Sequence, residues 1–166
     1  MKLLLNEFLR ILEGEISIYA SLLLALQKEK KAIVDSNLEE LNETCRQKEN
    51  LFLKIRILEE QRLITMDKLA ENIGQSSQEL TLTKLAQSVD EPQSTQLKDC
   101  HSRFLSLAQS IQEINLSNKT LLNHSLDLVR GSMSLLTDLM SSNPLYYRTG
   151  KMHASEQSGK LISGKI

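Results

Sequence analysis

The chain has 166 residues, with 20 basic against 21 acidic side chains, and it combines 32 leucines with no tryptophan, three phenylalanines, three tyrosines and two prolines. That length gives one domain with one core, the near-zero net charge excludes the field that draws nucleic acid or anionic lipid, and the leucine-rich, aromatic-poor composition predicts an aliphatic, helical core. Cys45 and Cys100 are isolated thiols, which excludes a disulfide framework or a CxxC metal or redox site and fits a reducing cytoplasm.

Lys2 is followed by three leucines, but Asn6 and Glu7 interrupt the run before the apolar segment of an export signal can form. The longest uncharged stretch, residues 16–27, falls short of the roughly 18 to 20 residues that cross a bilayer. A soluble cytoplasmic protein without membrane insertion is expected.

Between positions 3 and 34, Leu5, Leu9, Leu12, Ile16, Tyr19, Leu23 and Leu26 recur at intervals of four and three, beside a second row of Leu4, Phe8, Ile11, Ile18, Leu22 and Ala25. This wide stripe predicts a helix of the packed-bundle type. Lys28, Lys30 and Lys31 crowd its last turns, where cations meet the negative end of the helix dipole. Asp35, Ser36 and Asn37 break the pattern, and Ser36 with Glu39 reads as a capping box for a second helix over 38–72, ended by Gly74. A brief third helix is predicted over 79–89, capped by Ser76 and Glu79, with Leu80, Leu82, Leu85 and Val89 as its apolar residues.

Asp90, Glu91 and Pro92 open a fourth helix, predicted over 93–141 on the seven-residue series Cys100, Leu107, Ile114, Leu121, Leu128 and Leu135. At 1.5 Å per residue it spans roughly 73 Å against about 48 Å for the first helix. Its surplus therefore overhangs unless it bends at Gly131 or is covered by the second helix, the short helix or another chain. After Pro144 the composition turns to Gly, Ser, Lys and Tyr. The expectation is an all-α fold: an antiparallel helical bundle of three long helices and one short one over residues 1–143, with a flexible tail over 144–166.

No catalytic, cofactor or metal residue emerges. A di-iron bundle needs Glu three residues before His, and Lys98, Leu121 and Gly150 precede His101, His124 and His153 instead. The chain contains no HExxH, phosphate-loop, GxGxxG or GxSxG motif. Its Asp and Glu residues read as exposed surface, so an enzyme is not expected.

Three constellations remain. In the row Leu41, Lys48, Ile55, Arg62 and Leu69, the two cations read as snorkelling side chains, with a register-fixing ion pair or a partner contact as alternatives. The row Leu97, Phe104, Ile111, Asn118, Ser125, Ser132 and Leu139 is polar in its middle, where Asn118, like the neighbouring Asn115, reads as a boundary or register residue. With His124 these asparagines are the only support for a ligand-sensing pocket. The tail scatters Leu145, Tyr146, Tyr147, Met152, Leu161, Ile162 and Ile166 through a polar setting, which suits anchors that order on a partner, with docking back onto the bundle as the alternative.

The order of the segments NLEELNETCRQKENLFLKIRILEEQR, LTLTKLAQSVDEP and EINLSNKTLLNHSLDLVRGSMSLLTDL, behind a leucine-rich first helix and before a tail with Tyr and Gly, resembles the FlgN family of flagellar export chaperones across nearly the whole chain. The similarity rests on Leu38, Leu41, Lys48, Leu51 and Arg62 in the second helix, and on Asn115, Asn118, Leu121, Leu122 and the Val129-Arg130-Gly131 step in the fourth. In the tail, Tyr146 and Gly150 match the family's Tyr and Gly frame, although Tyr147, Arg148 and Thr149 depart from its usual intervening residues.

The resemblance implies a cytoplasmic chaperone, using neither nucleotide nor metal, that binds hook-filament junction proteins through their C-terminal helices and delivers them to the flagellar export gate. Leu128, Leu135, Leu136, Leu139, Tyr146, Tyr147, Leu161 and Ile162 are the expected client-binding residues, and Tyr146 with Gly150 the expected gate-docking pair. The alternative is a structural coiled-coil adaptor that forms a homo-oligomer through helix four.

Overall fold

The four-three apolar spacing of the first third winds α1, Lys2–Val34, and its continuation gives α2, Leu38–Ile73, α3, Leu82–Ser88, and α4, Gln93–Ser141. The structure, a computed structural model, describes residues 1–76 and 80–141, and these are all-helical apart from their turns. Two compact units divide the chain, Met1–Asn123 and His124–Ile166.

In the first unit α1 lies at the centre of the packing. Its Leu5, Phe8, Leu9, Leu12 and Ile16 are buried against Leu69 and Ala70 of α2, Leu85 and Ala86 of α3, and Leu97 and Cys100 of α4. Further along α1, Leu22 and Leu26 pack with Ile55, flanked by Leu51, Ile111 and Ile114. Each fully buried leucine contributes on the order of 1.5 to 3 kcal/mol of transfer free energy. Ion pairs set the directions. Glu15 meets Arg62 at 3.0 Å and Glu29 meets Lys48, so α1 and α2 are antiparallel. Glu13 meets Arg103 at 2.7 Å and Glu29 meets Asn118 at 2.9 Å, so α4 runs parallel to α1.

The turn between α1 and α2 differs from the expected capping box by one residue. The N–H of Asn37 bonds to the carbonyl of Ala32 and that of Ser36 to Ile33, the paired bonds of a Schellman ending, which places Ser36 in the left-handed region at φ 53°. Ser36 is thereby removed from the extended conformation an N-cap requires. Asn37 caps α2 in its place: its Oδ1 accepts from the N–H of Glu40 at 3.1 Å, and the Glu40 carboxylate accepts from its Nδ2 at 3.4 Å. Gly74, at φ 74°, closes α2 with the same Schellman bonds.

The third helix is shorter than expected. Thr81 is extended and its hydroxyl caps the N–H of Lys84, so the helix opens at Leu82 and not at position 79. Leu80 is buried from the preceding segment, while Glu79 lies outside the described residues. The buried hydroxyl of Ser94 donates to the carbonyl of Ala86 at 2.7 Å and ties the start of α4 to α3.

Lys48 and Arg62 also depart from the snorkelling expectation, because their heads are held by carboxylates of α1 and not only by water. Glu15 and Glu29, expected on exposed faces, are 3% and 5% exposed. They occupy the row Phe8, Leu12, Glu15, Tyr19, Leu22, Leu26 and Glu29, which keeps the four-three interval and turns its carboxylates to α2. The second unit is described as far as Ser141, and its part of α4 stays helical through Gly131, where an added Cβ would meet nothing within 4 Å.

Candidate functional site

Among the described residues, two apolar surfaces stand out as places for a ligand. The first lies within the unit Met1–Asn123, a groove of about 770 Å³ whose floor is Phe8, Leu12, Glu15 and Tyr19 of α1. Arg62 and Met66 of α2 form one wall, and Phe104, Ala108 and Ile111 of α4 the other. Four residues of α1 at intervals of four, three and four face one way, which is why a single helix supplies the whole floor. Tyr19 and Phe104 meet edge to face at 5.8 Å between ring centroids.

The two charged groups of the groove, Glu15 and Arg62, are engaged with each other. Glu15 accepts from Arg62, and burial, opposed by Arg62, pushes its carboxyl above the ordinary range. Burial, reinforced by Glu15 and Glu59, also raises the Tyr19 hydroxyl. Cys100, in the neighbouring core, lies 3.6 Å from Glu13, and its burial together with that carboxylate pushes the thiol up to about 11. That thiol is protonated at neutral pH and a poor nucleophile. The lining is mostly apolar, and its Glu15 and Arg62 charges are paired with each other.

Asn115 and Asn118 do not line a common pocket. Asn115 and His101 line the groove, whereas Asn118 is buried and donates both to the carbonyl of Leu26 and to Glu29 at 2.9 Å. His124 is exposed and belongs to the second unit. Among the described residues no group of three His, Cys, Asp or Glu side chains is placed to hold a metal.

The second surface is the part of α4 within the unit His124–Ile166. Leu128, Leu135, Leu136 and Leu139, singled out from the sequence, are exposed there at 60–69%. The structure adds Leu126, Val129, Met133 and Met140, which are also exposed. With Leu136 these four form a row at intervals of three and four, parallel to the row Leu128, Leu135 and Leu139. That interval is present in the sequence beside the seven-residue series through Leu128 and Leu135.

Ser132 lies between the two ridges, but its hydroxyl donates to the carbonyl of Leu128 at 2.9 Å, and Thr137 bonds likewise to Met133. Both hydroxyls are thus spent on their own helix, and the band presents an apolar face. Asp127 and Arg130 pair with each other at 3.5 Å on the far side of the helix. A face this wide is the pattern of a helix that packs against others, broader than a two-stranded coiled-coil seam. The remaining expected site residues, Tyr146, Tyr147, Gly150, Leu161 and Ile162, lie outside the described residues.

The family model described as FlgN protein matches residues 1–154. The chain belongs to the FlgN family. Its general role is accordingly that of a flagellar export chaperone, and its partners are flagellar export substrates. The span shared with the FlgN family takes in all four helices and continues past Tyr146, Tyr147 and Gly150. No curated protein and no solved structure matches the chain. None of the described helices of this FlgN-family chain is long and apolar enough to cross a membrane.

Proposed function

We propose that this chain binds the C-terminal helices of hook-filament junction proteins in the cytoplasm, prevents their premature assembly and delivers them to the type III export gate. The observation that carries this reading is the band of eight exposed apolar side chains on α4, from Leu126 to Met140. Export substrates that assemble through amphipathic helices expose apolar faces before assembly, and a helical apolar surface covers such a face without any covalent step. The activity is binding and not catalysis.

Leu128, Leu135, Leu136 and Leu139 are the proposed client contacts on α4, joined by Leu126, Val129, Met133 and Met140. The two methionines adapt to differently shaped apolar partners, which suits a chaperone with more than one client. Residues 144–166 are the proposed client-binding tail, with Tyr146, Tyr147, Leu161 and Ile162 as anchors and Tyr146 with Gly150 as the gate-docking pair. A segment that orders on its client loses entropy in doing so, which moderates affinity and keeps binding reversible.

Truncation after Ser142 tests the tail. Calorimetric titration with junction-protein C-terminal peptides is expected to show weakened binding with cooperative unfolding intact; unchanged affinity would remove the tail from the site. The same band supports a second reading, a homo-oligomer sealed through α4. Sedimentation equilibrium distinguishes the two, since a monomer at working concentration contradicts the oligomer.

A further inference from the structure

The two ion pairs between α1 and α2 share one spacing. Glu15 and Glu29 are two heptads apart on α1, as are their partners Lys48 and Arg62 on α2, and Leu22 and Ile55 meet midway between the pairs. Leucine-rich helices offer nearly the same apolar contacts after a shift of one heptad, so their packing alone specifies register weakly. We propose that Glu15–Arg62 and Glu29–Lys48 form a register lock that admits one antiparallel alignment of α1 and α2, and that Asn118 keys α4 to the same point.

A shift of one heptad either way brings one glutamate opposite Ile55 and the other opposite Leu41 or Leu69. Both carboxylates are then buried against apolar partners, the costliest arrangement for an ionised group. A shift of two heptads remakes one pair, Glu15 with Lys48 or Glu29 with Arg62, but leaves the other glutamate without its cation and strips two heptads of contact from the core. Only the observed alignment satisfies both carboxylates.

Glu29 extends the lock to the third long helix. Its Oε1 is held by Lys48 of α2 and its Oε2 accepts from Nδ2 of Asn118 on α4 at 2.9 Å, so polar groups of three helices converge on one carboxylate. Asn118 is 3% exposed and its Nδ2 also donates to the Leu26 carbonyl. A one-heptad slip of α4 that brought Ile111 to this point would provide neither donor. Buried polar residues of this kind give up stability in return for a single alignment.

The test is a distance measurement between nitroxides on Arg10→Cys and Asp67→Cys, exposed positions on α1 and α2, in a Cys45→Ser, Cys100→Ala background. The chain with both pairs intact is expected to give one distance. Replacing Glu15, Glu29, Lys48 and Arg62 together by leucine is expected to keep the helicity and to add a second population, displaced by about 10 Å along the helix axis. A single unchanged distance in that variant would overturn the proposal. Should the leucine variant not fold, the exchange Glu15→Arg with Arg62→Glu decides: the original single distance supports the lock, and a split or lost distance contradicts it.

Discussion

The side-chain amide of Asn118 donates at 2.9 Å to Oε2 of Glu29, whose Oε1 is held by Lys48, joining α4 to the α1–α2 hairpin through a buried polar contact. Replacing Asn118 by alanine removes both of its donors and leaves the Glu29 Oε2 and the Leu26 carbonyl with fewer partners. Loss of about 1 to 3 kcal/mol is expected, read as a lower urea midpoint at unchanged slope. Stability equal to the parent would show that the contact contributes nothing.

Glu15 gives the chain a defined pH response. Burial raises its carboxyl above the ordinary range despite Arg62, so the folded state holds this proton at pH values where the unfolded chain has released it. A raised carboxyl contributes stability in full below its unfolded pKa and loses that contribution as pH rises through the folded value. Relative to Glu15→Gln, the parent is therefore expected to lose stability as pH climbs through and above the normal carboxylate range. Urea denaturation at a series of pH values measures this, and a difference that grows in the parent's favour with pH would contradict it.

The turn between α1 and α2 carries a correctable strain. Ser36 sits at φ 53°, where a side chain costs about 1 kcal/mol and glycine costs nothing sterically. Ser36→Gly is expected to raise stability by about 1 kcal/mol, and Gly74→Ala, at φ 74°, to lower it by a similar amount. Thermal unfolding of the two variants should move in opposite directions; movement in the same direction would deny the left-handed conformation at one of them.

The thiols should differ in reactivity. Cys100 is buried and pushed up to about 11, while Cys45 is half-buried. At pH 8 a disulfide reagent is expected to modify Cys45 first and Cys100 only as the chain unfolds. Equal rates in the native protein would place Cys100 nearer the surface than its packing against α1 allows.

The long helices were legible because their signal is local. Four-three spacing, the Gly74 stop and the absence of proline between Pro92 and Pro144 mark α1, α2 and α4 without any knowledge of their neighbours. What the sequence hid is the partnership of charges. Glu15 and Glu29 look like surface carboxylates until Arg62 and Lys48 are brought opposite them, and that depends on the alignment of two helices, not on either one. The Asn37 cap was missed for a related reason, because the ending of α1 claims Ser36 before the start of α2 can use it. The exposure of Leu128, Leu135, Leu136 and Leu139 was legible in the surplus of α4, while that of Val129 and Met133, on the ridge of Leu136, depends on how the neighbouring helices leave each residue covered or bare.

The most direct test of the account is the affinity of a junction-protein C-terminal peptide for the parent chain and for Leu128→Asp with Leu136→Asp, one substitution on each ridge of α4. Both side chains are exposed at 60% or more, so helicity and unfolding should stay at parental values. With each anchor contributing on the order of 1.5 kcal/mol when buried, the double variant is expected to bind about 100-fold more weakly in calorimetric titration. Parental affinity in a normally folded double variant would contradict client binding on this face of α4.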